Sequence, residues 1–507
     1  MGAASIDAGS FSGDIRYRYV IYNGMPARIP TQRKTPFAID PRPLDECSTA
    51  FAGLLACSRA LRSLQVPGLV EANLPLKERQ RGQAVAEYVE AIVLLQLAGG
   101  TCPEDMTRLR CEAALQRGLG FEFPTPSAVR KFLNRFHDPQ LDLLRPSRKR
   151  QRSFIVPASE AVQDLQRVQQ GTVHQILRRY VAQQRPQSIA TIDADATIIE
   201  SHKRTALPHY EGGRGYQPVV AVWAETDLVL ADQWRDGNVP ARQAPLDCVR
   251  WAFEALPEGV RQRFFRGDSA CHEADLLRWL SDPQRAREPA GRIGFAVSAF
   301  NSTELQKALH AVGRSEWTTW ATEADGTQRQ WAEVPFVPGQ RGEKKDALPL
   351  RYVGLRLLKP KGERFADGTQ QHFHAVISNL DWRGDKLLDW HREKAGTIEH
   401  VHDAVKNHLA GGHVPSQKFG ADAAWFKLAL LAYNIASALT GLACADDESL
   451  RDAELKRLRF HLIHVAGRLS RSQCKLRLRF LAAPETIQRI LKVWEVFPLP
   501  TQATAFK

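Results

Sequence analysis

The stretch Thr191-Ile192-Asp193-Ala194-Asp195-Ala196-Thr197-Ile198-Ile199 places two carboxylates in an otherwise apolar strand. Side chains alternate along a strand. Asp193 and Asp195 therefore share a face with Thr191 and Thr197, and Ile192, Ala194, Ala196 and Ile198 take the other. Aspartate is disfavoured in strands, and an unpaired buried carboxylate is costly. Two of them on one face point to work on a cation or to covalent chemistry. The plainer alternative is a strand-end aspartate capping a neighbouring loop.

Working outward, the 507 residues are too many for one ordinary core, and three or four units are expected. Hydrophobic residues make up 43% and charged residues 25%, the balance of a soluble globular chain. Lys and Arg exceed Asp and Glu by 13. That excess favours a polyanionic partner, nucleic acid before an anionic membrane surface, over a merely basic enzyme. The eight cysteines form no Cys-x-x-Cys pair, which predicts buried thiols in a reducing cytosol rather than a zinc site or disulfides. The opening residues 1–7 lack a basic segment followed by an apolar run, so no signal peptide is expected. The apolar stretch 423–445 contains Lys427, Asn434 and Ser437, and predicts a buried core helix with no membrane span.

Before the aspartate strand, residues 40–150 read as mostly helical. A helical stripe over 75–97 stops at Gly99-Gly100. A short helix over 125–136, entered through Pro126-Ser127, carries Arg130, Lys131 and Arg135. It suits a recognition helix or a solvated basic one. Arg148, Lys149 and Arg150 lie in a Pro-broken basic linker, either a phosphate-binding arm or a flexible connector. A helix over 159–184 follows.

After the strand the pattern alternates. Strands are expected at 219–224 and 228–234 as an antiparallel pair, at 263–268 ending on Asp268, and at 294–298, with helices at 245–256 and 272–280. This is an α/β arrangement, a mixed sheet flanked by helices. Residues 300–371, with Trp317, Trp320 and Trp331, read as a β-rich insertion, after which 372–380 returns to the sheet. A helix over 386–408 places Arg392, Glu399 and Lys406 seven residues apart, close to two turns, on one stripe. Residues 451–480 hold nine Lys or Arg and two acids. They end in an alternating run, 474–480, that predicts a strand with one face in the core and one for solvent or phosphates.

An Asp on a central strand, Asp268 at the end of another and Glu399 on a later helix with basic neighbours suit two-metal phosphoryl transfer. With the stretches 193–197, 212–218, 235–238, 266–270 and 398–406, the chain resembles the DDE transposases of bacterial insertion sequences. The group is the one marked by a Tyr-Arg-Glu-Lys signature, in the branch named after insertion sequence 1380. The resemblance covers most of the chain and takes in 119–136.

That resemblance implies a ribonuclease-H-like catalytic core interrupted by a β-rich insertion, with an N-terminal helical DNA-binding region. The units would be 1–150, 151–299, 300–371, 372–450 and a basic 451–507. It implies Asp195, Asp268 and Glu399 as catalytic metal ligands, with Asp193 a second candidate for the first ligand. It further implies two Mg²⁺ or Mn²⁺ ions and double-stranded DNA as substrate, at terminal inverted repeats and at a target. A homodimer in the active complex and a place in the bacterial cytoplasm at the nucleoid follow too. Lys406 fits the signature. The Tyr and Arg do not, because seven and four residues before Glu399 stand Arg392 and Ala395. Arg392 and Lys394 are the candidate phosphate contacts. Related transposases stack an insertion tryptophan on a flipped base.

Two rival readings stay open. Asp193-x-Asp195-x-Thr197 also matches haloacid-dehalogenase-type phosphatases, with Asp193 as nucleophile. The other is a transposase relic that binds DNA without cutting it.

Overall fold

The computed structural model describes residues 20–22, 25–27, 47–76, 82–146, 153–282, 284, 292–338, 350–451, 453–472 and 475–499. Residues Met1–Glu46 form one unit, in which Val20–Tyr22 pairs antiparallel with Met25–Ala27. Cys47–Lys507 forms the other.

The second unit is built on a nine-stranded mixed sheet. In chain order its strands are β1 (Ile189–Ala196), β2 (Val219–Trp223), β3 (Leu228–Gln233), β4 (Gln262–Gly267), β5 (Ile293–Ser298), β6 (Thr318–Thr322), β7 (Gln328–Glu333), β8 (Arg351–Leu358) and β9 (Gln371–Ser378). Their spatial order is β6-β7-β8-β9-β5-β4-β1-β2-β3. β1, β4 and β5 run parallel, and β2 and β3 continue antiparallel from β1. β9 pairs antiparallel with β5, and β8, β7 and β6 follow it. The strands expected in the insertion therefore do not stand apart. They extend the main sheet, because β9 satisfies the backbone groups that β5 would otherwise leave as an open edge.

The far edge, β3, is closed by side chains. Asn434 accepts from Val229 N and donates to Val229 O, both at 2.8 Å, and Gln166 donates to Leu230 O at 3.0 Å. Each such buried bond contributes on the order of 1 kcal/mol, and leaving the group unmet would cost more.

The helices that frame this sheet are α1 (Leu54–Ser63), α2 (Val85–Leu97), α3 (Pro126–Leu133), α4 (Glu160–Ala182), α5 (Gly384–Asp403) and α6 (Phe419–Ala438). Every residue of α6 is buried. It is long and apolar enough to cross a membrane, yet it packs inside the protein against α2, α4 and β3. Its Lys427 pairs with Asp232 on β3.

The helix expected over 75–97 starts only at Val85. Val66–Asn73 is a separate helix, and Gly82 at φ +74° breaks the run. In α3, Pro126 at the first position and the Thr125 hydroxyl, accepting from Ala128 N at 3.2 Å, fix the start. Seven cysteines are described, all free. Four are buried, two are half-buried and Cys111 is exposed.

The basic C-terminal run forms a hairpin, Ala466–Ser472 with Lys475–Leu481, and Ser48–Thr49 pairs on its inner side. Its outer strand does not bury a whole face as expected. Leu476 and Leu481 are exposed, and Leu478 and Phe480 are half-buried. An edge strand has the body of the protein on only part of one side.

Candidate active site

One face of β1 carries Thr191, Asp193 and Asp195, with Thr197 just past its end, and each meets a polar partner from a different element. The Thr191 hydroxyl donates to Glu225 at 2.6 Å. Asp193 is fully buried and accepts two bonds from the Arg266 guanidinium of β4, at 2.7 and 2.9 Å. Asp195 accepts from Lys394 Nζ of α5 at 2.8 Å. Thr197 Oγ1 accepts from Lys406 Nζ at 3.3 Å.

The parallel register of β1 and β4 sets Asp193 opposite Arg266 and Ala194 opposite Gly267. One step further along both chains, Asp268 falls beside Asp195, with strands about 4.8 Å apart. Asp268 opens the short turn Ser269–Cys271 and its Oδ1 accepts from Ala270 N at 3.1 Å. Gly267 permits this turn, since a Cβ there would stand 2.5 Å from the Cys271 Cβ. Burial and then the Asp195 charge push the Asp268 carboxyl up, and Lys394 works against them. Burial pulls Lys394 down, but the charges of Asp195 and Asp268 outweigh it and hold the ammonium above the ordinary lysine range. Two neighbouring carboxylates at the carboxyl ends of parallel strands thus enclose one buried cation, the place where open α/β sheets bind ligands.

Helix α5 is seated by the same elements. Arg266 also donates to Trp390 O at 2.7 Å and to Glu393 at 3.0 Å. His391 Nε2 donates to Gly267 O at 3.0 Å, and burial lowers its pKa to about 4. This seating faces Lys394, Ile398 and Val401 inward, and leaves Arg392 and Glu399 exposed. Glu399 lies about 140° round the helix from Lys394. It enters no ion pair among the described residues. Among those residues no three His, Cys, Asp or Glu stand together as a metal cluster. Lys406 lies past the end of α5, in the wide turn Ala404–His408.

Sequence reasoning gave no role to His402. Its Nε2 is buried without a partner among the described residues, in the field of Asp195, Lys394 and Lys406, and burial lowers its pKa to about 4. Arg266 was missed as well. Its signal was a basic residue two positions before Asp268, hence on the same strand face.

The stretches 212–218 and 235–238 fold against each other. Tyr216 bridges Asp236, Gly237 N donates to Gly215 O at 3.0 Å, and Tyr216 stacks on Trp234 at 4.8 Å. Of the basic residues assigned to DNA, Arg130 pairs with Glu104, Arg135 donates to Leu76 O at 3.3 Å, and Lys131 is exposed. Arg148, Lys149 and Arg150 lie outside the described residues. The insertion tryptophans are engaged. Trp317 is buried under Arg356, Trp320 donates to Asp389 at 3.1 Å, and Trp331 packs on Gly384.

Comparison with curated proteins finds no match. A solved structure, the piggyBac transposase synaptic complex with hairpin DNA, aligns over 80% of this chain and 78% of that one, at 11% identity and a TM-score of 0.42. The sequence profile of the transposase DDE domain, group 1, matches residues 49–495, most of the chain. The protein belongs to this family of DDE transposases.

Proposed function

We propose that this chain binds terminal inverted repeats, cuts the ends of its element and joins the freed 3′ ends to target DNA. The observation that carries the reading is the Asp195–Asp268 pair, side by side at the carboxyl ends of β1 and β4 around a buried ammonium. The strand order β3-β2-β1-β4-β5, with only β2 antiparallel to its two neighbours, supports a ribonuclease-H-like core. We place the chain in the insertion sequence 1380 branch, acting as a homodimer in the bacterial cytoplasm.

The residues fit a divalent cation. The charges of the two carboxylates already hold an ammonium, and the buried Nε2 of His402 has no hydrogen-bond partner among the described residues. Asp195 and Asp268 would hold Mg²⁺ or Mn²⁺, and Glu399 is kept as the proposed third ligand. The metal, when bound, activates the attacking oxygen and stabilises the leaving one.

The chain's own residues do the rest. Asp193 is spent on Arg266, and Arg266 on seating α5, so this pair fixes the geometry and does not touch substrate. A buried, doubly bonded Asp193 is poorly placed as the nucleophile that the phosphatase alternative needs. Lys394 on Asp195 and Lys406 on Thr197 stand at the end of β1, where cations would hold a phosphodiester in line, and Arg392 is offered as a further phosphate contact from the exposed side of α5. His402 stays neutral near pH 7 and offers an unprotonated or protonated Nε2 to a phosphate oxygen or a water according to its tautomer.

The test is cleavage of a labelled duplex carrying the element's end, with Mg²⁺ and with EDTA. Wild type should nick at the end only with metal, and Asp195→Ala and Asp268→Ala should bind without nicking. Binding without cutting by wild type would favour the relic. Undiminished cutting by either variant would remove the assignment.

A further inference from the structure

Residues 466–481 hold four Arg, one Lys and no acid. In the hairpin of Ala466–Ser472 with Lys475–Leu481, the register sets Arg479 opposite Arg468 and Arg477 opposite Ser470. Side chains alternate along a strand, so these four share one face. The other face carries Leu469 opposite Leu478 and Gly467 opposite Phe480. Leu469 is buried, and Leu478 and Phe480 are half-buried, so that face is the inner one and the arginines stand on the outer one.

The base of the hairpin is held. Ser48–Thr49 pairs with Gly467 and Arg468, and Leu469 N donates to Cys47 O at 2.7 Å. Beyond Leu469 the inner face opens as well. Arg471 and Leu476 face each other there and both are exposed, with Leu476 at 59%. The distal half therefore projects from the described residues as a ribbon open to water on both faces. Arg471, Arg477 and Arg479 enter no ion pair or side-chain hydrogen bond among the described residues. Lys475–Leu481 is the outer strand of its three-stranded sheet, so its outward backbone groups meet no further strand there.

A projecting ribbon with cations on its outer face and no acid suits a polyanion. Two strands at about 4.8 Å each make a ribbon roughly 10 Å wide, which the ~12 Å major groove of a DNA duplex admits and the ~6 Å minor groove does not. Laid in that groove, the outer face points Arg477 and Arg479 at the floor, where the base edges are. The open strand edge then turns to the phosphate wall. Guanine presents N7 and O6 on the floor, two acceptors that match the guanidinium fork.

We propose that the hairpin Ala466–Leu481 is a major-groove ribbon that reads the element's end, with Arg477 and Arg479 forked onto guanines. This rests on the DNA reading above and deepens it. In the groove each guanidinium also stands between two rows of phosphates, so it displaces counterions while it reads bases.

The experiment titrates the full chain, in EDTA and at one salt concentration, with three fluorescent duplexes. One carries the element's end, one is the same end with 7-deazaguanine in place of guanine, and one is scrambled. Wild type should bind the end more tightly than either of the others. Arg477→Lys and Arg479→Lys keep the charge and lose the fork. Each should weaken binding to the end about 5- to 150-fold, leave the scrambled duplex unchanged, and narrow the gap between the end and its 7-deazaguanine copy. Lysine variants that bind the end like wild type, or that lose the end and the scrambled duplex equally, overturn the proposal. Variants that keep DNA binding but lose self-association would give the ribbon to a second copy instead. A wild type that binds all three duplexes alike overturns base reading and leaves the DNA reading standing. A wild type that binds none overturns the DNA reading itself, and this inference with it.

Discussion

Lys394→Met should make the metal-free protein less stable and bind metal more tightly. The ammonium sits 2.8 Å from Asp195 Oδ2, with its side chain 9% exposed and that of Asp195 24% exposed. A hydrogen bond to a charged group contributes about 1.5–3 kcal/mol, and partial solvent access to Asp195 favours the lower part of that range. About 2 kcal/mol is therefore expected to vanish from the stability measured in EDTA. A cation entering between Asp195 and Asp268 must first displace the ammonium. Removing the ammonium returns the same energy to the metal, and about 2 kcal/mol is roughly a 30-fold gain in affinity. The assay pairs calorimetric titration with Mn²⁺ and urea midpoints in EDTA and in saturating Mn²⁺. An unchanged or weaker Mn²⁺ affinity, whatever the midpoints do, would refute the idea that Lys394 occupies the cation's place. It would leave Lys394 as a phosphate contact or a structural pair.

Arg266→Met should cost about 3–5 kcal/mol, because it strands Asp193 without exposure or partner, and adding Asp193→Leu should recover most of that. Urea midpoints of the two variants check it, and a single variant as stable as wild type would show that the pair is dispensable. On the C-terminal hairpin, Arg477 and Arg479 are exposed, and Arg479 faces Arg468 directly across the strands. Changing both Arg477 and Arg479 to Gln should lower the slope of log affinity for duplex DNA against log salt by about 1.8, and an unchanged slope would take the hairpin off the DNA. Asp422 is pushed up to about 7, first by burial, with Lys203, Ser416 N and Tyr216 pulling the other way. Folding raises this pKa, so the stability that goes with it is full below about pH 4 and is lost as pH rises through about 7. Asp422→Asn should therefore be the more stable protein at pH 8, by at most about 4 kcal/mol, with no advantage at pH 4. Equal midpoints at pH 8 would contradict this.

Periodicity showed what is local. The two-residue alternation of 191–197 is visible in any reading, and it placed Thr191, Asp193 and Asp195 on one face of a strand that the structure ends at Ala196, just before Thr197. The pairing partners were not legible, because they come from far along the chain. Asp193 meets Arg266 over 73 residues and Asp195 meets Lys394 over 199. The strands of the insertion show their own alternation but not the edge to which they attach, which is set by β9 covering β5. Arg392, Glu399 and Lys406 were read as one stripe on an assumption of continuous α-helix. The wide turn that begins at Ala404 breaks that periodicity and turns Lys406 toward Thr197. Lys394 was read as a phosphate contact from its charge; its burial beside Asp195 was not legible, because it depends on how α5 is seated.

The different fates of Asp193 and Asp195 follow from register. They point the same way from one strand, and the alternation alone gives no ground for giving them different work. What separates them is the facing residue on β4. Opposite Asp193 stands Arg266, and one pleat further along Asp195 gains Asp268. A like-charged pair is tolerable only where a cation can reach it, and that is the end of the strand, open toward solvent. Deeper in the sheet two carboxylates would have to protonate or unfold the core, so the deeper level is filled by an internally neutral pair. That neutral pair is also the anchor of α5, through Arg266 to Trp390 and Glu393. The helix that brings Lys394 over the mouth is thus held by the Asp just beneath the one it covers. Loss of Asp193 should accordingly disturb the site by displacing α5, without removing a ligand.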